Sequence, residues 1–426
     1  MDKFRVAGPT KLNGKISISG SKNATLPIIF ATLMTDQENV LSRVPNLSDI
    51  KTAGQILQSF GLKTEIDFAS GDWRVHAPDI KNTRADYDLV RKMRASFFCI
   101  GPLLARAGQA EVSIPGGCAI GARPIDLHLS ALKSFGIQID ESGGYIEAKV
   151  PSSGLVGGQV IFPKVSVGAT ETALMTAVLA KGSSIIRNAA REPEVIALAN
   201  CLKSMGAKIE GEGTSKIEIE GVDQLGALNC AVPADRIEAA TYMIAAQMTG
   251  GELVLDNIGT GDMEIVIECL KQSGASVESI EENNQTSIRV KASEEILPVD
   301  IETAPFPGFP TDVQAQWVAL MTQAEGESFV TEKIFENRFM HVPELRRMGA
   351  EIKVTGNTVK IKGKRSGLNA APVMATDLRA SASLVLAGLC AEGETHVKRI
   401  YHLDRGYVSM EKKLNGAGAK IIRDFE

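Results

Sequence analysis

The sequence predicts an α/β protein made of six repeated units of about 71 residues each. A glycine, a small or aliphatic residue and a strand-like run recur six times along the 426-residue chain, at spacings of 75, 70, 68, 75 and 69 residues. A chain of this length also exceeds what one hydrophobic core usually organises. Six units therefore group into two domains of three. The six copies begin at Gly61, Gly136, Gly206, Gly274, Gly349 and Gly418.

Each of these glycines follows a segment with helical apolar spacing. Val195, Leu198 and Leu202 show that spacing before Gly206. A glycine at the end of such a segment indicates the left-handed residue that closes a helix. A helix followed by a strand is therefore the expected local unit.

A second helical segment, rich in Ala, Ser and Leu, lies upstream in each unit, as in 239–248 and 379–390. A strand such as 252–255 follows it. Each unit should thus contain helix, strand, helix and strand, with room for one more strand. No Pro/Ser-rich or charged linker marks a domain boundary, so the repeat alone places it near residue 230. The second segments end at Gly108, Gly182, Gly250, Gly326 and Gly393.

The composition is that of an ordinary globular chain, with 44% hydrophobic and 23% charged residues. The longest uncharged stretches, such as 239–251, fall short of the roughly 20 residues that a membrane-spanning helix needs. The N-terminal sequence lacks a basic region followed by an apolar core, so we expect a cytoplasmic location. A net charge of −5 gives no global nucleic-acid footprint. We expect neither a membrane nor a nucleic-acid partner.

The cysteines and histidines are scattered. Six cysteines contain no Cys-x-x-Cys pair, and the five histidines form no cluster with them. This pattern argues against a zinc ribbon and against a disulfide framework. We expect no metal and no cofactor.

The most unusual stretch is the loop 114–124, in which three glycines and two flanking prolines surround Cys118. Such loops often carry ligand-binding residues. Arg123 and a helix beginning near Pro124 would both favour the thiolate, which makes Cys118 a candidate reactive group. The alternative is a glycine-rich turn whose cysteine is merely small and buried.

A second candidate is the turn 19–24, which places Lys22 at the entrance to a helix. Backbone amides at a helix start together with a lysine suit an anionic group. The spacing of a P-loop is missing. The alternative is a solvated lysine in a capping turn.

Arginines open equivalent helices in different units. Arg94 starts the upstream helix of the second unit and Arg379 that of the sixth, each followed by Ala-Ser. An arginine at a helix start opposes the macrodipole, so an anionic partner would explain its presence. Arg405 and Asp312 complete the candidates. A local ion pair is the alternative for Arg405 with Asp404 and for Arg379 with Asp377.

Taken together, these stretches resemble the UDP-N-acetylglucosamine 1-carboxyvinyltransferases, the enolpyruvyl transferases that begin peptidoglycan precursor synthesis. The resemblance runs from the first residues to the last repeat, and no motif position departs from the family pattern. Its most specific blocks are 20–24, 115–124, 165–170, 190–194, 309–316, 335–340 and 375–381.

The resemblance implies an inside-out α/β barrel of two domains, each made of three units, with helices inside and sheets outside. It assigns the N-terminal strand to the C-terminal half, so the expected domains are 22–233, and 1–21 joined with 234–426. The implied reaction transfers the enolpyruvyl group of phosphoenolpyruvate to the 3-hydroxyl of UDP-N-acetylglucosamine and releases phosphate. It proceeds by addition and elimination, and the antibiotic fosfomycin is expected to target the enzyme.

The resemblance also implies residue roles. Cys118 would donate the proton to the methylene carbon and form a covalent adduct with phosphoenolpyruvate, while Asp312 would act at the 3-hydroxyl as base or orienter. Lys22, Arg123 and Arg405 would bind the phosphate, with Arg379 near the carboxylate. The remaining expected substrate contacts are Asn23, Arg94, Pro124, Ile125, Asp126, Leu127, Lys164, Ser166, Val167, Gly168 and Ile334.

These residues are divided between the two halves of the chain, so we expect a working site to need both domains. We also expect an open form without substrate that closes when the sugar nucleotide binds. The nearest alternative function is a 5-enolpyruvylshikimate-3-phosphate synthase, which has a Gly-Ser-Lys-Ser opening and no comparable cysteine loop. A non-catalytic paralogue that binds the sugar nucleotide would be expected to lack Cys118 or Asp312. A thiol hydrolase would need a histidine paired with Cys118, and His128 is poorly placed for that.

Overall fold

The structure is a computed structural model that describes residues 2–115, 124–282 and 285–425. These residues form two compact units, each with its own hydrophobic interior. The N-terminal unit contains residues 20–233, and the C-terminal unit contains residues 2–19 together with 234–425, apart from the stretches outside the described ranges.

Each unit contains three four-stranded sheets. In the N-terminal unit the sheets consist of Glu38–Ser42, Lys63–Asp67, Asp72–His76 and Asn229–Ala231; of Arg84–Ala85, Gln109–Ser113, Gln138–Ser142 and Tyr145–Lys149; and of Gln159–Ile161, Ser183–Arg187, Lys208–Glu210 and Lys216–Glu220. In the C-terminal unit they consist of Lys3–Gly8, Pro372–Met374, Gly393–Lys398 and Lys420–Asp424; of Asn13–Ser17, Glu252–Asp256, Ser276–Glu282 and Gln285–Lys291; and of Ile301–Glu302, Gly326–Thr331, Glu351–Thr355 and Thr358–Gly363.

All six sheets share one pairing pattern, a parallel pair followed by two antiparallel pairs. In one example, Gln159–Ile161 runs parallel to Ser183–Arg187, which pairs antiparallel with Lys216–Glu220. The sequence left room for three strands in a unit, whereas each sheet has four. The additional strand is usually only two or three residues long, as in Arg84–Ala85. So short a segment has no alternating pattern to detect.

Two strands of the C-terminal unit come from the beginning of the chain. Lys3–Gly8 lies between Gly393–Lys398 and Lys420–Asp424, with Arg5 opposite His396 on one side and Ile422 on the other. Asn13–Ser17 runs parallel to Glu252–Asp256. Residues 3–17 therefore contribute two strands to sheets formed by the second half of the chain.

The helices fall into two groups that differ in how deeply they are buried. One helix in each repeat is buried along most of its length, as Arg236–Thr249 is from Ile237 to Met248. These six central helices are Lys22–Ala31, Ile100–Ala107, Val167–Ala177, Arg236–Thr249, Gln314–Met321 and Leu378–Cys390. The other helices are Ser48–Ser59, Tyr87–Val90, Asp126–Ser134, Pro193–Ser204, Glu264–Gln272, Val342–Arg347 and Met410–Gly416, and 3-10 helices span Thr32–Met34, Arg94–Cys99, Thr311–Val313 and Ile400–Arg405.

Within each unit, the helices lie inside and the sheets outside because their burial patterns differ. Lys216–Glu220 alternates strictly between exposed and buried positions, as expected for a strand with one wet face. The central helices are buried over most of their residues, which is typical of helices surrounded by protein. No helix in the described ranges is long and apolar enough to cross a membrane.

The repeat glycines have the predicted left-handed backbone, with φ between 79° and 104° at all six positions. Gly206, which follows helix Pro193–Ser204, has φ of 104°. No atom lies within 4 Å of a Cβ built there, so the backbone angle rather than lack of space requires glycine.

We predict that Gly206→Ala lowers the free energy of unfolding by about 1–2 kcal/mol, because an alanine is strained at this positive φ. Gly206→Asn should cost less, since asparagine tolerates left-handed conformations better. Urea denaturation measures both. Gly226→Ala is the control, because Gly226 has no positive φ and its built Cβ only touches the Met205 carbonyl at 3.5 Å. Equal losses for Gly206→Ala and Gly226→Ala would contradict the assignment to backbone strain.

Candidate active site

Asp312 is held between two arginines in the C-terminal unit. It lies in the 3-10 helix that leads into the central helix Gln314–Met321. Its Oδ1 accepts a hydrogen bond from Arg338 Nη2 at 2.7 Å and its Oδ2 one from Arg379 Nη2 at 2.9 Å. Both arginine side chains are only 4% exposed, whereas Asp312 keeps 27%. Two buried guanidinium groups favour the ionised carboxylate, which stays accessible.

Arg379 reaches Asp312 because of the way its own helix begins. Asp377 caps the central helix Leu378–Cys390 by accepting the backbone N–H groups of Arg379 and Ala380 at 2.9 and 3.0 Å. A local ion pair between the Asp377 and Arg379 side chains, the alternative considered from the sequence, is therefore wrong. The cap occupies Asp377, and the guanidinium extends to Asp312 instead. Burial alone would lower the pKa of Arg379, but Asp312 and the Tyr407 hydroxyl raise it above its ordinary value.

Tyr407 connects this ion pair to the neighbouring central helices. Its hydroxyl lies 2.8 Å from Thr241 Oγ1 and accepts a hydrogen bond from Gln316 Nε2 at 3.1 Å. The Arg379 guanidinium carbon lies 5.5 Å from the centroid of the Tyr407 ring, within cation–π distance. Burial raises the pKa of Tyr407, against the effect of Arg379, so the phenol stays neutral. The Arg379 guanidinium thus lies against a tyrosine whose hydroxyl is hydrogen-bonded to two other central helices.

Glu332 joins the Ile334 segment to the residue before Asp312. Its Oε2 accepts a hydrogen bond from Thr311 Oγ1 at 2.9 Å, and its Oε1 accepts the Ile334 backbone N–H at 2.7 Å. Arg338 Nη1 also donates to Thr311 Oγ1, at 3.2 Å. Two expected site residues, Asp312 and Ile334, are therefore linked in one network.

Sequence reasoning did not single out Arg338, Glu332 or Tyr407. Arg338 stands inside the block 335–340 that helped to carry the resemblance, and that block was the available signal. Arg338 Nε and Arg379 Nη1 are buried and have no hydrogen-bond partner among the residues that the structure describes. Buried donors are normally satisfied, so these two nitrogens are unusual features of the region around Asp312.

Arg405 ends the 3-10 helix Ile400–Arg405, which packs against the helix that carries Arg379. Burial lowers the pKa of His402 in the same turn, and Arg405 lowers it further. Asp404 was the local ion-pair partner considered for Arg405. Its carboxylate accepts two hydrogen bonds from Arg423, at 2.7 and 3.1 Å.

Lys22 lies at the first position of the first central helix in the N-terminal unit. Ser21 caps this helix by accepting the Ala24 backbone N–H at 3.3 Å, as expected for a capping turn. Lys22 Nζ is 3.6 Å from Asp49 Oδ2, and the lysine side chain is 14% exposed. Lys22 is therefore mostly buried and paired, and the alternative of a solvated lysine is wrong. The helix, which also carries Asn23, packs against the 3-10 helix that Arg94 opens.

The structure brings most of the expected nucleotide-sugar contacts together in the N-terminal unit. Arg94 Nη2 donates to the Pro124 carbonyl at 3.2 Å. Asp126 and Leu127 open the helix that follows, and Ser166 caps the central helix that begins at Val167 and Gly168. Lys164 is exposed, and Ile125 precedes the helix start.

His128 packs these two helices together. Its Nδ1 lies 2.9 Å from Thr172 Oγ1, and its ring meets the edge of Phe97 at a centroid distance of 5.3 Å. A Cβ built on Gly168 would lie 3.1 Å from His128 Cε1, so a larger residue there would crowd the imidazole ring. Burial, with a smaller effect of Arg94, lowers the pKa of His128 to about 3. The neutral ring is a packing element of this region.

Cys118 and Arg123 lie outside the described residues, and their expected roles stay predictions. The described cysteines are all free thiols. Within the described ranges, no group of three or more His, Cys, Asp or Glu side chains could hold a metal ion.

Comparison with known proteins identifies the family. A model described as EPSP synthase (3-phosphoshikimate 1-carboxyvinyltransferase) matches residues 6–414, so the chain belongs to this family of enolpyruvyl transferases. The chain is similar to a UDP-N-acetylglucosamine 1-carboxyvinyltransferase of Xanthobacter autotrophicus, with 52% identity over 432 residues, and to one of Cereibacter sphaeroides, with 54% identity over 423 residues. Each alignment covers 99% of both proteins. The resemblance inferred from the sequence is confirmed, and the protein is an enzyme.

Solved structures show the same fold at lower identity. The enolpyruvyl transferase NikO from Streptomyces tendae has a TM-score of 0.86 at 22% identity, covering 99% of this chain and 98% of its own. An EPSP synthase from Acinetobacter baumannii has a TM-score of 0.78 at 20% identity, with full coverage of both chains. The described residues of this chain form six four-stranded sheets packed on buried helices. Together with these matches, they confirm the predicted inside-out α/β fold.

We predict that His128 makes the protein less stable in acid. Its pKa is lower in the folded protein than in the unfolded chain, so the unfolded chain binds more protons between pH 6.5 and 3. Stability is then lost as the pH falls through that window, by about 1.4 kcal/mol per unit. The measurement is urea denaturation of the wild type and of His128→Gln at pH 7.5 and 5. The stability advantage of the wild type should shrink by about 2 kcal/mol at pH 5. An advantage that is unchanged between the two pH values would refute this role.

Proposed function

We propose that the protein transfers the enolpyruvyl group of phosphoenolpyruvate to the 3-hydroxyl of UDP-N-acetylglucosamine and releases phosphate, in the first committed step of peptidoglycan synthesis. The main support from the structure is the Asp312 carboxylate held between Arg338 and Arg379, each of which keeps a buried donor without a partner in the described residues. The names of relatives more than 50% identical over the whole chain support the substrate pair.

The chemistry explains why a paired carboxylate is useful. The sugar hydroxyl adds to C2 of phosphoenolpyruvate while C3 gains a proton; C3 then loses a proton as the bond from C2 to the phosphate oxygen breaks. An ionised carboxylate is the group that can accept or orient the hydroxyl proton. Asp312 is ionised by its two partners yet 27% exposed, so a substrate hydroxyl can reach it. We assign it to the 3-hydroxyl.

The arginines beside Asp312 suit the carboxylate of phosphoenolpyruvate. Guanidinium groups bind carboxylates through paired N–H donors, and Arg379 Nη1 and Arg338 Nε have such donors available. We assign the phosphate to Lys22, Arg405 and Arg123, as the resemblance implies. Cys118 is assigned as the proton donor to C3 on the same basis.

The nucleotide-sugar contacts are assigned to the cluster around His128. Arg94, the turn 124–127 and the helix start 166–168 lie on elements that His128 and the Arg94–Pro124 hydrogen bond hold together. A helix N-terminus provides backbone N–H donors for a diphosphate oxygen. The reaction therefore draws on residues of both domains, 22–233 and 1–21 with 234–426. The proposal includes a cytoplasmic location, which agrees with a highly charged sugar nucleotide as the substrate.

A 5-enolpyruvylshikimate-3-phosphate synthase is the second candidate, because the family model carries that description. The solved EPSP synthase is 20% identical to this chain, compared with 52–54% for the UDP-N-acetylglucosamine relatives. Phosphate release from phosphoenolpyruvate with UDP-N-acetylglucosamine, but not with shikimate 3-phosphate, tests the choice directly. The reverse preference would overturn the proposed substrate.

We predict that Asp312→Asn lowers kcat by a factor of about 10² to 10⁴, because the amide cannot take the hydroxyl proton. Steady-state phosphate release measures the loss. The matched control is Asp300→Asn, since Asp300 is exposed, belongs to the same unit and accepts the Phe329 backbone N–H instead of an arginine. Its kcat should stay within twofold of the wild type. Full activity of Asp312→Asn would remove Asp312 from the mechanism.

We predict one covalent fosfomycin adduct on Cys118 when the protein is incubated with the antibiotic and UDP-N-acetylglucosamine. Intact mass spectrometry should detect the adduct in the wild type and not in Cys118→Asp. Cys230→Ser, which changes a partly buried thiol elsewhere, should still form it. An adduct that survives in Cys118→Asp would show that another residue is the nucleophile.

A further inference from the structure

Within the described ranges, the chain passes from one compact unit to the other between Ser19 and Gly20 and between Pro233 and Ala234. One backbone hydrogen bond joins the two crossing segments within each unit. Asp235 N donates to the Ser19 carbonyl at 2.9 Å in the C-terminal unit, and Ser21 N donates to the Pro233 carbonyl at 2.7 Å in the N-terminal unit. Lys22, assigned above to the phosphate, follows Ser19 by only three residues.

A buried ion pair holds Ser19 in the C-terminal unit. Glu238 is 1% exposed, and its Oε2 accepts the Ser19 backbone N–H at 2.7 Å. Lys413 Nζ donates to Glu238 Oε1 and to Ser19 Oγ, both at 2.7 Å. With the hydrogen bond from Asp235, the amide, the carbonyl and the hydroxyl of Ser19 are all engaged.

The stability of the core does not explain this arrangement. A buried ion pair often contributes no more stability than well-packed apolar side chains would, because both charges lose their hydration. Burial raises the pKa of Glu238, and the Lys413 ammonium opposes that shift and so favours the ionised carboxylate. What the pair provides beyond packing is a fixed position for Ser19.

We propose that Glu238 and Lys413 are positioning residues that fix the first crossing segment and, through it, the place of Lys22 in the reaction. The inference rests on the proposed role of Lys22 as a phosphate ligand. Residue 19 is hydrogen-bonded within the C-terminal unit and residue 21 within the N-terminal unit, so a single residue separates the two anchored positions. Gly20 cannot take a side chain, since a built Cβ would lie 2.0 Å from the Arg43 carbonyl oxygen.

The experiment combines amide hydrogen exchange with a double-mutant cycle. Lys413→Met removes the ammonium while keeping the length of the side chain. In this variant the Ser19 amide should exchange at least about tenfold faster, because its acceptor loses its counter-charge. The KM for phosphoenolpyruvate should rise about tenfold, while a variant lacking the Lys22 ammonium, Lys22→Met, should gain no further increase from Lys413→Met. That absence of additivity identifies positioning of Lys22, which a general loss of stability would not produce.

Glu411→Gln is the matched control. Glu411 lies on the same helix as Lys413 and pairs with Arg423 at 3.3 Å rather than with the Ser19 segment. This variant should leave Ser19 exchange unchanged, and any effect on KM should multiply with that of Lys22→Met. Glu238→Gln retains an acceptor for the Ser19 amide and should be milder than Lys413→Met in exchange and in KM.

The outcomes separate this inference from the proposed function. Faster Ser19 exchange with multiplying effects of Lys413→Met and Lys22→Met would overturn the positioning role, as would unchanged exchange. A Lys22→Met variant with the KM of the wild type would also overturn it, while the transferase activity itself would stand. If the wild type released no phosphate, the proposed function would fail, and Ser19 exchange alone would then decide whether the ion pair fixes the segment.

Discussion

The central constraint in the C-terminal unit is the Asp312 carboxylate shared by two buried arginines. Each arginine is 4% exposed and would be costly to bury without an anion. Asp312 pairs with both, and the buried carboxylate of Glu332 lies one hydrogen-bond step further, through Thr311 Oγ1. The carboxylate that pairs with the two arginines is also 27% exposed, so a substrate can meet it. Tyr407, Gln316 and Thr241 form a polar network beside this ion pair.

The repeat explains why the candidate residues lie where they do. Several of them lie at the beginning of a central helix or in the turn before it: Lys22 in the first repeat, Arg94 in the second, Ser166 to Gly168 in the third, Asp312 in the fifth and Arg379 in the sixth. The fourth central helix begins with Asp235 and Glu238, which hold the crossing segment instead. Helix starts offer free N–H groups and the positive end of the dipole, so one architectural feature supplies several anion-binding positions.

Much of the fold could be predicted from the sequence because glycine at a left-handed position is a local requirement. The six repeat glycines all have positive φ, and their spacing alone gave the number of units. The central helices could be recognised by their composition, as in the buried run of Arg236–Thr249. The short parallel strands could not, because two or three residues such as Arg84–Ala85 have no periodicity, and their pairing depends on a strand about 25 residues away.

The site could be predicted only where its residues belong to a local sequence motif. The Ser21 cap before Lys22 is local, and so is the Asp377 cap before Arg379. The partner of Arg379 is not, since Asp312 lies 67 residues away in sequence and competes with the nearer Asp377. Asp377 is already engaged locally, because its Oδ1 caps two backbone N–H groups and its Oδ2 accepts a hydrogen bond from Thr376 Oγ1. A sequence shows which charges are near one another along the chain, but the choice between two carboxylates depends on which of them the backbone has already engaged.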